Sequence, residues 1–125
     1  MKVSMMPRLE NLLSIDWELG KQLAGNKINL AADLLDLLMK TLPEDLFTIK
    51  SLYTAQSYKE LLKEVHKLHG ALSYCGVPRL KSVIACLETN LKNNIMVDLA
   101  FLFSQLDIEV NNLLEHYHQP SLLND

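Results

Sequence analysis

Apolar residues separated by three and four positions recur along almost the whole of this 125-residue chain, and this spacing strongly constrains its fold. A helix of 3.6 residues per turn places such residues on one face, where they can be buried together. Leucine fills most of these positions, with 27 leucines against six valines and six isoleucines. Because leucine favours helices and the β-branched residues favour strands, the sequence predicts an all-α domain.

The first half of the chain contains one short helix and one long helix. Asp16 is a suitable N-cap for a short helix over residues 16–24. The second helix runs from Asn29 to about Thr54, and Pro43 is expected to bend it because proline removes a backbone donor. Its buried stripe is predicted to contain Leu30, Leu34, Leu35, Leu38 and Leu42, followed by Leu46, Phe47, Ile49, Leu52 and Tyr53.

Three further helices follow with short connections. Ser57 and Glu60 form a capping-box pattern at the start of a helix over residues 57–74. Gly76 is expected to end that helix in a left-handed conformation, and Pro78 suits the first turn of the next helix. The inward positions of the third helix are predicted to be Leu61, Val65, Leu68 and Leu72. We therefore predict an antiparallel up-down four-helix bundle with an additional short N-terminal helix.

Composition and charge limit the classes of protein to which the chain can belong. Residues 15–118 are predicted to form the bundle, residues 1–14 an N-terminal extension or linker, and residues 119–125 a frayed tail. A net charge of −3 gives no global basic field, so nucleic acid is not an expected partner. No apolar run approaches the roughly 20 residues of a membrane span. Cys75 and Cys86 are too few for a disulfide scaffold, so we expect reduced thiols and a cytoplasmic location.

One side of the third helix carries the residues that point to chemistry. A projection at 100° per residue turns His66 away from the apolar stripe and toward solvent. Lys59, Lys63 and Lys67 share that side and are candidates for docking a partner. Gly70 costs ~1 kcal/mol relative to alanine in a helix interior. Because it leaves no side chain one turn beyond the imidazole, Gly70 would allow a partner close access to His66.

Residues 66–71, with the sequence HKLHGA, and Gly76 ten positions after the histidine resemble the signature of histidine-containing phosphotransfer (HPt) domains. Residues 15–25, 34–43 and 80–91 also resemble other helices of that family. The strongest resemblance is to the C-terminal HPt domain of hybrid sensor histidine kinases of the BarA/GacS/LetS type. It implies that His66 accepts a phosphoryl group from a receiver-domain aspartate and passes it to the aspartate of a response regulator.

The same resemblance implies that the partners are receiver domains, which supply Mg²⁺, and that this chain holds no cofactor of its own. No glycine-rich phosphate loop occurs in the sequence, so we predict a phosphotransfer protein without autonomous kinase activity. The domain is expected to be a monomer, either freestanding or part of a hybrid sensor histidine kinase.

His69 departs from the family pattern, because most HPt domains carry lysine at this position of the motif. The charge of histidine depends on pH, whereas that of lysine is permanent under ordinary conditions. His69, Lys63 and Lys67 are therefore the residues expected to support the phosphoryl group. An alternative for His69 is a half-buried side chain that is hydrogen-bonded to a neighbouring helix.

Two other functions remain open from the residues alone. In a metal-binding bundle, His66 and His69 would be joined by His116, His118 or a carboxylate around zinc. In a non-catalytic adaptor, the bundle would bind receivers without transferring phosphate. The cysteines are expected to be packing residues with no chemistry.

Overall fold

The computed structural model describes residues 3–118, and within this range the chain forms five α-helices and no strand. The helices are α1 (Trp17–Leu23), α2 (Ile28–Thr54), α3 (Tyr58–Leu72), α4 (Pro78–Lys92) and α5 (Leu99–Tyr117). The predicted all-α fold with an additional N-terminal helix is confirmed. The predicted frayed tail over residues 119–125 lies outside the described residues.

Helices α2 to α5 surround a common apolar core. Helix α3 packs against α2 and α4, α4 packs against α5, and α1 packs against α2. Side chains also join α2 to α5, because the rings of Tyr53 and Phe103 stack with their centroids 4.1 Å apart. All four predicted inward residues of α3 are buried in this core: Leu61, Val65, Leu68 and Leu72. The register of α3 is therefore the one that the sequence predicts.

Helix α2 continues through Pro43, but two of its predicted core residues are exposed. Its buried row contains Ala31, Leu35, Leu38, Leu42, Leu46 and Ile49. Leu30 and Phe47 each lie one residue from a member of this row and are turned about 100° away from it. The prediction that Leu30 and Phe47 are buried was therefore wrong.

The ends of the helices agree with the sequence signals at some positions and not at others. The Asp16 carboxylate accepts a hydrogen bond from the Leu19 N–H at 3.0 Å, so the predicted N-cap of α1 is confirmed. Pro78 occupies the first turn of α4 as predicted. The capping box was wrong, because the Ser57 side chain makes no capping hydrogen bond and Glu60 instead contacts Lys63.

Gly76 is required by close packing, and the predicted left-handed conformation is wrong. A Cβ at this position would lie 2.2 Å from the carbonyl oxygen of Asp16 and 2.7 Å from the nitrogen of Gly20. The Asp16 N–H also donates to the Gly76 carbonyl at 2.8 Å. The connection before α4 thus rests directly on the start of α1, where only glycine leaves enough space.

Residues 3–15, which we call the N-terminal segment, form no helix and lie against α4 and α5. Buried Asn90 accepts a hydrogen bond from the Met5 N–H at 2.8 Å and donates to the Met5 carbonyl at 3.1 Å. Arg79 donates to the Leu9 carbonyl at 2.9 Å and to the Glu109 carboxylate. Two polar side chains of α4 therefore hold this segment. None of the described helices is long and apolar enough to cross a membrane.

Candidate functional site

His66 lies in the middle of α3, beside the edge that faces α4. Its neighbours Val65 and Leu68 are buried in the core, and this fixes the rotation of the helix. The His66 side chain is 70% exposed, as the helical projection predicts, whereas that of His69 is 29% exposed. The structure thus places one imidazole largely in solvent and the other at the boundary of the core.

Glu88 on α4 joins the two histidines. Its carboxylate is only 7% exposed, and its Oε2 atom contacts Nδ1 of His66. The other oxygen, Oε1, lies 2.6 Å from Nδ1 of His69. Lys92, one turn further along α4, places its Nζ atom 3.3 Å from Oε2. Three nitrogen donors therefore surround one buried carboxylate.

The surroundings of Glu88 favour its ionised form. Burial by itself would raise the pKa of this carboxyl, but the hydrogen bonds from His69, His66 and Lys92 outweigh it and lower the pKa from 4.5 to about 2. At neutral pH the Glu88 side chain is therefore ionised, and its oxygens accept hydrogen bonds but cannot donate them.

The hydrogen bond to Glu88 determines which nitrogen of His66 can react. An ionised carboxylate accepts hydrogen bonds, so Nδ1 must carry the proton that it donates to Glu88. A neutral imidazole then has its lone pair on Nε2. Because Nδ1 faces Glu88, Nε2 lies on the far side of an exposed ring. The arrangement presents a nucleophilic nitrogen to the solvent and fixes the orientation of its ring.

The remaining predicted site residues lie around His66 in different environments. A Cβ built on Gly70 meets no atom within 4 Å, so the space next to this residue is open. Lys59 is exposed, and Lys63 lies 3.5 Å from the Glu60 carboxylate at the surface. Lys67 lines the groove between α2 and α3, on the side of α3 away from Glu88.

Lys67 lies close enough to α2 for its charge to affect Asp45. Burial raises the pKa of the Asp45 carboxyl, and the nearby positive charge of Lys67 opposes this shift. His69 has the half-buried position and the hydrogen bond to a neighbouring helix that its structural alternative predicted. The two residues therefore lie on opposite sides of α3.

The structure assembles the zinc alternative only in part, because His66 and His69 meet at Glu88 whereas His116 makes its contact on its own helix. His116 contacts the carbonyl oxygen of Asn112 on its own helix through Nδ1, at 2.8 Å. Within residues 3–118, no group of three or more histidine, cysteine, aspartate or glutamate side chains is placed to hold a metal ion. The described part of the chain therefore offers no zinc centre that includes His66.

Glu88 and Lys92 were not among the site residues predicted from the sequence. Glu88 follows Ile84 by four residues and precedes Leu91 by three, so it occupies the apolar stripe of α4. A carboxylate on such a stripe is unusual, because burying a charge without partners is costly. This position was the signal in the sequence that could have identified Glu88, and Lys92 lies one turn from it.

The Hpt domain family model matches residues 33–116, which include His66, Glu88 and Lys92. The chain belongs to the Hpt domain family. Hpt domains of hybrid sensor kinases act in phosphorelays, and this membership favours phosphotransfer over the metal-binding and adaptor alternatives.

Two curated relatives share part of their sequence with this Hpt domain. The sensor protein GacS of Pseudomonas syringae pv. syringae is 43% identical over 82 residues, which are 66% of this chain and 9% of that protein. The signal transduction histidine-protein kinase BarA of Escherichia coli (strain K12) is 34% identical over 80 residues, which are 64% of this chain and 9% of that protein. The chain thus spans about a tenth of the length of these kinases.

The fold agrees with a crystal structure of the HPT domain from an Hpt sensor hybrid histidine kinase of Shewanella. The two structures superpose with a TM-score of 0.75 at 28% sequence identity. The match covers 90% of this chain and 97% of the other. It therefore includes nearly the whole bundle.

Proposed function

We propose that this Hpt domain accepts a phosphoryl group on Nε2 of His66 from the phosphorylated aspartate of one receiver domain and passes it to the aspartate of another. The observation that carries this proposal is the contact between Nδ1 of His66 and the buried carboxylate of Glu88. It holds the proton on Nδ1 and leaves Nε2 free and exposed. The membership of the Hpt family supports the same assignment.

The transfer forms one bond and breaks one. The lone pair of Nε2 attacks phosphorus, a nitrogen–phosphorus bond forms, and the bond between phosphorus and the aspartyl oxygen breaks. The aspartate leaves as a carboxylate. His66 becomes a phosphorylated imidazolium that still carries its proton on Nδ1, and the negative charge of Glu88 stabilises it. Transfer to the second receiver reverses these steps.

The receiver domain supplies what this chain lacks for the reaction. Phosphoryl transfer depends on positioning and on neutralising charge, and the acidic pocket and Mg²⁺ of the receiver provide both on the donor side. The Hpt domain contributes a nucleophile on a rigid helix, with open space at Gly70 through which the receiver can approach. It has no kinase activity of its own, acts as a monomer, and works in the cytoplasm on receivers of a hybrid kinase and a response regulator.

The test compares two exposed histidines. His66→Gln should abolish transfer of labelled phosphate from a phosphorylated receiver, while helicity and melting temperature change little because glutamine is a good helix former. His116→Gln, on α5, is the matched control and should accept phosphate at the parent rate. Label retained by His66→Gln, or lost from His116→Gln alone, would assign the phosphoryl group to another residue.

A further inference from the structure

We propose that Lys92 on α4 provides the permanent positive charge that supports the phosphoryl group in this domain. This inference rests on the proposed transfer to His66. The charge would come from the helix opposite His66, and not from Lys63 or Lys67 on its own helix. Lys92 contacts the same oxygen of Glu88 as His66 does, and this shared contact places the charge of Lys92 near the imidazole.

The buried carboxylate creates the need for such a charge. Glu88 orients His66 and stabilises the phosphorylated imidazolium, but it also places a fixed negative charge against the ring whose far nitrogen, Nε2, must receive a phosphoryl group. Like charges at short range in a partly buried site repel each other strongly. A second cation is therefore needed to compensate the charge of Glu88 while the imidazolium compensates part of the phosphoryl charge.

The other basic residues near His66 on α3 are less suited to compensate the charge of Glu88. Lys63 lies beside Glu60 at the surface, and Lys67 lies along the groove toward α2. His69 is half-buried, and its Nδ1 atom is already bound to Glu88. The charge of a histidine in general depends on pH, whereas that of a lysine is permanent in the neutral range.

Lys92 has the position and the freedom to contact both groups. Its Nζ atom lies 3.3 Å from Oε2 of Glu88, and its side chain is 58% exposed. Because Nδ1 of His66 contacts the same oxygen, the two nitrogens are separated by at most two hydrogen-bond lengths, about 6 Å. A lysine ammonium has three donors, so Lys92 can keep its contact with Glu88 and donate to a phosphoryl oxygen on His66.

The experiment replaces Lys92 in the complete domain and measures the rate of phosphoryl acceptance from a phosphorylated receiver. Lys92→Gln should slow acceptance on the order of tenfold, the size expected for one charge-assisted hydrogen bond. Lys92→Arg should restore most of the rate because it keeps the charge. Lys50→Gln is the matched control, since Lys50 is also an exposed lysine paired with a carboxylate, Asp107. It should transfer at the parent rate.

A double-mutant cycle with Glu88 tests how Lys92 acts. In the Glu88→Gln background the fixed negative charge is gone and only the hydrogen bond from Lys92 to the phosphoryl oxygen remains, so adding Lys92→Gln should slow acceptance less than it does in the parent. An equal loss in both backgrounds would contradict compensation of the Glu88 charge. Unchanged transfer by Lys92→Gln would overturn the inference, as would failure of Lys92→Arg to restore the rate.

The proposed function and this inference fail in different ways. If Lys92→Gln transfers at the parent rate while His66→Gln accepts no label, only the role of Lys92 is wrong. If His66→Gln accepts label, the site itself is wrong, and the inference falls with it. The melting temperature of each variant shows that the comparison is made between folded domains.

Discussion

Two buried carboxylates on neighbouring helices differ in where their partners lie. Both oxygens of Glu109 on α5 accept hydrogen bonds from Arg79, which also binds the N-terminal segment, and the Glu109 side chain is 1% exposed. Glu88 on α4 is almost as buried, but its partners His66 and Lys92 extend into solvent. The difference indicates that Glu109 holds the fold together, whereas Glu88 holds a reactive side chain in position.

The roles of Glu109 and Glu88 both follow from the cost of burying a carboxylate. A buried carboxylate loses its hydration and must recover the lost free energy from nearby donors. When the donor also binds a distant segment, as Arg79 does, the network adds rigidity and ties that segment to the bundle. When the donors are exposed, the carboxylate acts as an anchor, and the outer ends of His66 and Lys92 are free to contact a partner.

The largest effect on stability is expected at Glu109. Glu109→Ala leaves the partly buried guanidinium of Arg79 without its carboxylate and loosens the N-terminal segment. This should lower the free energy of unfolding by about 3 kcal/mol, as for other broken buried pairs. Urea denaturation measures the loss, and phosphoryl acceptance per folded molecule should be retained. Glu115→Ala, at an exposed position of the same helix, is the control and should change neither quantity. If the folded Glu109→Ala variant loses phosphoryl transfer, Glu109 supports the site as well as the fold, and the contrast with Glu88 is wrong.

A smaller effect is expected from the titration of Glu88. Its pKa in the folded domain is about 2 against an ordinary 4.5, so the unfolded chain binds this proton first as the pH falls. The resulting stabilisation is complete above pH 4.5 and is lost as the pH falls toward 2. The parent domain should therefore lose roughly 2 kcal/mol more than Glu88→Gln over that interval. The free energy of unfolding of both proteins is measured by denaturation between pH 4.5 and 2. If it falls equally in the two proteins, Glu88 does not bind its donors as an ionised carboxylate.

The sequence was sufficient for the features that lie within one helix. The spacing of apolar residues predicted that His66 is exposed and that Val65 is buried. The low helix propensity of glycine marked Gly70 as an unusual residue within a helix. Glu88 and Lys92 could not be connected to His66 in the same way, because 22 positions separate His66 from Glu88 and their contact depends on how α3 and α4 align. The close approach of Gly76 to α1 depends on tertiary packing in the same sense.

The smallest effect on stability is expected at Gly70, on the open side of His66. Because a Cβ at this position meets no atom within 4 Å, Gly70→Ala should raise the free energy of unfolding by up to ~1 kcal/mol. The gain comes only from the higher helix propensity of alanine. Thermal denaturation of the two proteins measures it. A loss of stability on Gly70→Ala would mean that the packing around this position requires glycine.

Gly70→Gln separates this gain from the role of Gly70 in access. Glutamine is also a good helix former, so the melting temperature should be equal to or higher than that of the parent. Its long side chain would occupy the open space one turn beyond His66, and transfer from a phosphorylated receiver should become markedly slower. A small-molecule phosphodonor needs less room and should be affected less. If Gly70→Gln accepts phosphate from the receiver at the parent rate, the open space beside His66 is not the route by which the receiver approaches.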